Sequence, residues 1–271
     1  MRPTETVIYK TVEGDSSDPI DLTMDIFKPL SHRSTDRRPV MVFFFGGGWN
    51  GGTQSQFHPH CHYFSSRGLI AISAEYRVKS RHGTEPSVCV QDGKSAIRWI
   101  RNHAEDLGID GQKVIAAGGS AGGHVAAATA TVKKFNEPEE DLATDCKPQA
   151  LVLFNPVFDN SPEGYGYDRV QAYWRDFSPM HNIDETPPPT VVFLGTEDKL
   201  IPTATAEAYQ KRMADSGCRC DVHLYEGQGH GFFNFGNYDH YVKTVVETDT
   251  FLASLGYVTG EPTLFPEPKF L

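Results

Sequence analysis

Cysteine is scarce in this chain of 271 residues: five thiols, at Cys61, Cys89, Cys146, Cys218 and Cys220. They are too few and too irregularly spaced for a disulfide framework, and "CRC" at 218–220 is one residue short of a C-x-x-C redox motif. Isolated thiols filling a core are expected instead. Long apolar runs are also missing, since none approaches the roughly 18 residues a membrane-spanning helix needs. Positive charge is in deficit: 25 Lys and Arg face 35 Asp and Glu, a net charge of −10 that argues against nucleic acid or anionic membrane surfaces as partners. The opening "MRPTETVIYK" has no apolar stretch of the kind that marks a secretory leader. The chain as written is thus expected to be cytoplasmic, or a secreted or periplasmic mature form whose leader has been removed. No repeat and no low-complexity linker interrupts it, so one domain spanning 1–271 is expected.

Apolar material is ample, at 39% of residues, and it is patterned. "TVIYKTV" and "LTMDIFKP" read as an opening antiparallel pair. Val40 to Phe45 form an unbroken apolar run, as in a strand covered on both faces, and "LIAISAEYR" reads alike. Helical spacing of Val88, Ala96, Ile97, Ile100 and Ala104 predicts a helix running to a glycine stop at Gly108. Then come a strand at Lys113–Ala117, an alanine-rich helix from Ser120, and a strand at "ALVLFNPVF". A turn-rich insertion, Asp159–Pro189, follows as a minimal cap. Strands at "TVVFLGTED" and "CDVHLYEG" close the pattern, with a helix near Thr203–Ser216 between them and a last helix "YVKTVVETDTFLASLG". Strand–helix alternation with buried strands implies an α/β fold: a mostly parallel sheet with helices on both faces.

Glycine is concentrated where that pattern turns sharpest. "AAGGSAGGH" puts Ser120 between Gly118 and Gly122, directly after a strand and before a helix. A nucleophilic serine must protrude from a strained strand-to-helix turn, and small residues two before and two after make room for it, the G-x-S-x-G elbow. The bland alternative is a flexible turn with a helix-capping serine, so partners have to decide. A serine hydroxyl needs a histidine to take its proton and a carboxylate to hold that histidine. Asp198 ends the strand "VVFLGTED" and His230 follows the next strand in "EGQGHGF", in the order Ser, Asp, His. Glu197 is a weaker rival because strand alternation turns it the other way. Gly46, Gly47 and Gly48 follow an early buried strand, and the amides of Gly47, Gly48 and Ala121 are the candidate oxyanion-hole donors.

Other groups invite competing readings. His58, His60 and His62 in "HPHCH" suggest a metal site, but no matching Cys/His or carboxylate motif accompanies them, and neither metal nor cofactor is expected. His124, one turn beyond Ser120, is expected to pack under a loop. Trp49 and Trp174 are candidates to stack on a sugar or aryl ring of the substrate, with the insertion's "YGYDRVQAYW" walling an open pocket. Arg77 and Asp92 read as a structural ion pair.

Over nearly its whole length the chain resembles α/β-hydrolases of the esterase and lipase type, in particular bacterial bifunctional feruloyl and acetylxylan esterases. The resemblance rests on "GGGW" (Gly46–Trp49), "G-x-SAGGH" (Gly118–His124), "SP" (Ser178–Pro179), "G-T-x-D" (Gly195–Asp198), "HGF" (His230–Phe232) and "EYR" (Glu75–Arg77). One departure stands out: Phe45 occupies the position where many such esterases carry a histidine before the glycines. The resemblance implies a serine carboxylesterase acting on short-acyl esters such as acetylated or feruloylated plant polysaccharides. Two other classes stay open on the residues alone: an amide or formamide hydrolase like kynurenine formamidase, and a non-catalytic binding protein on the same fold.

Overall fold

A computed structural model describes residues 1–13, 19–184 and 186–264; Glu185 of the insertion lies outside the described residues. Eight strands form one sheet: β1 (Glu5–Val12), β2 (Ile20–Phe27), β3 (Arg38–Phe44), β4 (Ile70–Ala74), β5 (Ile109–Gly119), β6 (Ala150–Phe154), β7 (Thr190–Gly195) and β8 (Cys220–Tyr225). Their order is β1-β2-β4-β3-β5-β6-β7-β8. β2 runs antiparallel to both its neighbours, and all remaining pairs are parallel. The helices are α1 (His58–Ser66), α2 (Lys79–His82), α3 (Pro86–Asn102), α4 (Ala121–Thr131), α5 (Tyr167–Val170), α6 (Trp174–Phe177), α7 (Thr203–Asp215) and α8 (Tyr238–Ser254). Among the described residues none is long and apolar enough to cross a membrane.

The apolar run of β3 shows why both faces are covered. Successive strand side chains point to opposite faces. Phe43 packs on Phe57, His60 and Phe64 of the α1 side, while Phe44 reaches Gly93 of α3. The Tyr241 hydroxyl of α8 donates to the Pro59 carbonyl, 3.0 Å away, so α1 and α8 share one face. On the other, Gly93 lies against Val125, which lets α3 and α4 pack closely.

Some boundaries differ from expectation. α3 stops at Asn102 rather than at Gly108; residues 103–108 are turns. Gly108 has φ +63°, and a Cβ there would press on the Arg33 carbonyl, so this glycine serves the re-entry into β5 rather than the helix end. β5 is correspondingly longer than Lys113–Ala117. "HPHCH" opens α1. All five cysteines are free thiols.

Parallel register aligns the carboxyl ends of the strands. Phe44 pairs with Gly118, Gly119 with Phe154, Phe154 with Phe193, and Gly195 with Tyr225. Every loop carrying a candidate functional residue therefore leaves the sheet at the same edge, the usual place for a site in a parallel α/β sheet.

Candidate active site

Ser120 sits between β5 and α4 with φ +54° and ψ −120°, a conformation an L-residue adopts only under constraint. The flanking glycines supply that constraint. A Cβ on Gly118 would meet the Gly122 carbonyl, and one on Gly122 would meet the carbonyls of Phe44 and Phe45. Backbone and backbone approach too closely there for any side chain. The Ser120 amide donates to the Phe154 carbonyl (2.9 Å), which ties the turn to the end of β6.

Asp198 and His230 converge on this turn from two other loops. His230 Nε2 lies 2.9 Å from Ser120 Oγ, and His230 Nδ1 lies 2.7 Å from Asp198 Oδ2. The other carboxylate oxygen of Asp198 accepts the amides of Leu200 (2.8 Å) and Ile201 (3.0 Å). Burial alone would raise the Asp198 pKa, but the hydrogen bonds from His230, Ile201 and Leu200 outweigh it and hold the carboxyl below its ordinary value. An ionised Asp198 fixes the proton on Nδ1, which leaves the Nε2 lone pair facing the hydroxyl. Glu197 is exposed, turned away as alternation requires.

The glycine loop closes the arrangement. The Gly46 amide donates to Gln56 Oε1 (2.7 Å), whereas the amides of Gly47, Gly48 and Ala121 have no acceptor among the described residues. Gly47 (φ +137°) and Gly48 (φ +61°) hold backbone conformations that favour glycine. Three unspent N–H groups beside a buried helix N-terminus can take the charge of an oxyanion.

Several lining residues escaped the sequence reading. Asn155, at the end of β6 with φ +33°, directs Nδ2 to His230 Nε2 (3.3 Å) and accepts the Gly231 amide on Oδ1 (3.0 Å). Gln56 Nε2 donates to Asn234 Oδ1 (2.9 Å), and Asn234 Nδ2 to the Gly231 carbonyl (2.8 Å). A continuous chain of amides thus links the glycine loop to the histidine loop. The only signal for Asn155 was its place after a buried strand; Gln56 and Asn234 had none, being 178 residues apart.

Ser120 and His230 open into a cavity of about 670 Å³ whose walls combine hydrogen-bonding side chains, among them Asn50, Gln56, Asn234 and Arg169, with apolar surface from Leu200 and Phe233. The stacking role for the two tryptophans is corrected. Trp49 is 1% exposed, wedged against His124 and Phe177 beneath the Arg169 guanidinium. Trp174 packs edge-on to His181, and neither ring lines this cavity. From the insertion it is Tyr165 and Arg169 that do.

The other histidines singled out in the sequence, His58, His60, His62 and His124, lie outside this cavity. His124 is buried and bonds through Nε2 to the Phe177 carbonyl (3.0 Å), under the insertion as expected. Helical geometry splays "HPHCH": His58 bonds Asp25 (2.8 Å), His60 is buried among aromatic rings, and His62 is exposed. Among the described residues no cluster of three or more His, Cys, Asp or Glu is placed to hold a metal ion. Phe45, in the unusual position before the glycines, stacks on Tyr76 (4.2 Å), whose hydroxyl donates to the Phe45 carbonyl (2.6 Å). That pair braces the loop through a ring rather than an imidazole.

Residues 24–162 match the BD-FAE family, and residues 159–255 match the dienelactone hydrolase family. Esterase LipC of Mycobacterium tuberculosis is 27% identical over an alignment of 245 positions that covers 82% of this chain and 59% of LipC. The chain spans about half the length of the curated relatives it matches. Solved structures of Thermogutta terrifontis esterase 2 are more similar. The form phosphorylated by paraoxon is 43% identical with a TM-score of 0.88, covering 95% of this chain and 96% of that one. The propionate-bound form is 42% identical with a TM-score of 0.88 and the same coverage.

Proposed function

Because this chain belongs to the BD-FAE family of α/β-hydrolases, we propose that it is a serine carboxylic-ester hydrolase that works through an acyl-enzyme. The observation that carries the reading is the unbroken relay from Asp198 through His230 to Ser120, with contacts of 2.7 and 2.9 Å. Ser120 Oγ attacks the ester carbonyl carbon as its proton passes to His230 Nε2. Ionised Asp198 stabilises the imidazolium, and the carbonyl oxygen, now an anion, accepts hydrogen bonds from Ala121, Gly47 and Gly48. Each such donor is worth about 3 kcal/mol of barrier. Collapse expels the alcohol, which takes the proton from Nε2. Water then repeats the attack on the acyl-enzyme with His230 as base and frees the acid.

Short acyl groups are favoured by the similarity to an esterase solved with propionate and with butyrate bound. The hydrogen-bonding side chains in the cavity wall, Asn50, Thr53, Ser55, Gln56 and Asn234, suit an oxygen-rich alcohol, which supports the finer proposal of acetylated or feruloylated polysaccharide. That finer proposal no longer draws on the tryptophans.

A fluorophosphonate should label Ser120 with one-to-one stoichiometry, and p-nitrophenyl propionate and butyrate should be turned over with an initial burst of nitrophenol. Turnover surviving in Ser120→Ala would refute the assignment. Acetylxylan offered beside these esters decides the polysaccharide: no release of acetate from it would leave a small-molecule esterase.

A further inference from the structure

We propose that Arg169 is a recognition group for a carboxylate carried by the substrate, which makes this site selective for anionic esters. The inference rests on reading the Ser120 cavity as an esterase site and adds its substrate class. Among the residues that line the cavity there is one permanent cation, Arg169, and no Asp or Glu. In a chain with ten more acids than bases, that lining leaves Arg169 as the charge a substrate meets, since ionised Asp198 lies behind His230 and is spent on it.

Arg169 is also held ready and unspent. Its guanidinium lies over the Trp49 ring at 4.9 Å and over the Tyr165 ring at 5.1 Å. Those contacts fix the plane of the fork and restrict its motion. Nη1 donates to the Gly48 carbonyl (2.6 Å), and no carboxylate lies within ion-pair distance among the described residues. One of five N–H donors is therefore used. The rest sit on an orientated fork whose geometry matches a carboxylate in a bidentate contact. Three other shielded arginines are paired with acids, Arg77 with Asp92, Arg67 with Asp249 and Arg98 with Glu140, while Arg101 spends its Nη2 on the Lys147 carbonyl and Gln149 Oε1, away from the cavity. Arg169 differs from all four in lining the cavity of Ser120 with no acid on its guanidinium, a placement that a charged substrate explains.

The carboxylate can belong to either half of the ester, and matched pairs separate the two sources. On the acyl side, mono-4-nitrophenyl glutarate is compared with 4-nitrophenyl valerate. On the alcohol side, 4-acetoxybenzoate is compared with 4-acetoxybenzamide. In one pair the anion should be preferred by about tenfold or more in kcat/KM, the scale of one charge-assisted fork. Raising the salt should shrink that ratio by screening. Arg169→Gln should bring the ratio to unity or below, and Arg169→Lys, which keeps charge without the fork, should retain part of it.

Wild-type protein that hydrolyses the neutral esters but shows no anionic preference in either pair overturns the proposal and leaves the esterase reading standing. A preference that survives Arg169→Gln overturns it too. Equal loss on both members of a pair in Arg169→Gln would mean that the side chain only braces the glycine loop, which also overturns it. If the wild-type protein hydrolyses none of the four esters, the esterase reading fails first and this one with it.

Discussion

Two buried carboxylates in this protein both have each oxygen taken by donors, yet they do opposite things. Asp92, on α3, accepts Arg77 through Nε and Nη2, the Arg77 amide, and Lys10 Nζ at 2.8 Å. Asp198 accepts two amides and one imidazole. Both side chains are fully buried. What differs lies at the far end of each contact. Around Asp92 every partner is a fixed cation or an amide, joined by Glu137 on the other side of Lys10 and Arg77, and nothing can be passed on. Beyond Asp198 stands a titratable ring, then a hydroxyl, then a cavity. A buried, saturated carboxylate marks rigidity; a relay that ends in a transferable proton marks chemistry.

The sharpest way to break that contrast is to cut each site once. Ser120→Ala is expected to lower kcat/KM for a p-nitrophenyl ester by about 10⁴-fold or more, and Asp198→Asn by about 10⁴-fold, with little change in Tm. Asp92→Ala should do the reverse. It leaves Arg77 and Lys10 with Glu137 as their one remaining acid in a buried place, which costs about 3 kcal/mol in denaturant unfolding, while kcat per folded molecule stays near wild type. Loss of kcat in a folded Asp92→Ala protein would erase the distinction.

The histidines extend the comparison and give a smaller effect. His230 has both ring nitrogens engaged, whereas neither ring nitrogen of His60 has a hydrogen-bond partner among the described residues. Burial pushes the His60 pKa down to about 3. In the unfolded chain an ordinary histidine takes up a proton as pH falls below about 6.5, while folded His60 stays neutral down to about 3. Stability is therefore complete above the unfolded value and lost between these limits as pH drops. By pH 5 the loss is about 2 kcal/mol. His60→Phe, which keeps a ring among Phe43, Phe57 and Tyr241, should remove that part of the acid sensitivity in pH-dependent unfolding. Identical acid slopes in both proteins would mean that His60 protonates within the fold.

Much of this was legible before any coordinates, and the reason is local. An elbow needs glycines within two residues of its serine, and a strand covered on both faces needs an unbroken apolar run. Both constraints act over a few residues, so "GGSAG" and "VMVFFF" announced them. The order Ser120, Asp198, His230 was legible because each residue follows a recognisable strand. Trp49 was misjudged because an aromatic after a glycine loop looks the same whether it faces substrate or core. Its burial is decided by His124, Phe177 and Arg169, all distant in sequence. The helix end at Asn102 was missed for a related reason: Gly108 carries the glycine signal, but its work is the turn into β5. Asn155, Gln56 and Asn234 were invisible since their partners are set by the tertiary fold alone.

That amide chain supplies the finest test of what belongs to the chemistry and what to its support. Gln56 holds the Gly46 amide on one side and Asn234 on the other, so it spans from the glycine loop to the loop that carries His230. Neither side chain touches Ser120 or Asp198 through a hydrogen bond. Removing Gln56 should let the glycine loop relax by a fraction of an ångström, enough to blunt donors that must meet a transition state closely. Gln56→Ala is expected to lower kcat about tenfold with a smaller change in KM, a loss near 1.4 kcal/mol. Asn234→Ala should cost a similar amount. Since the two amides act through one hydrogen bond, the double variant should be little worse than either single one, a coupling of about 1 kcal/mol in a double-mutant cycle on kcat. Additive losses would mean that the two loops are held independently, and that only the Asp198–His230–Ser120 relay is shared between them.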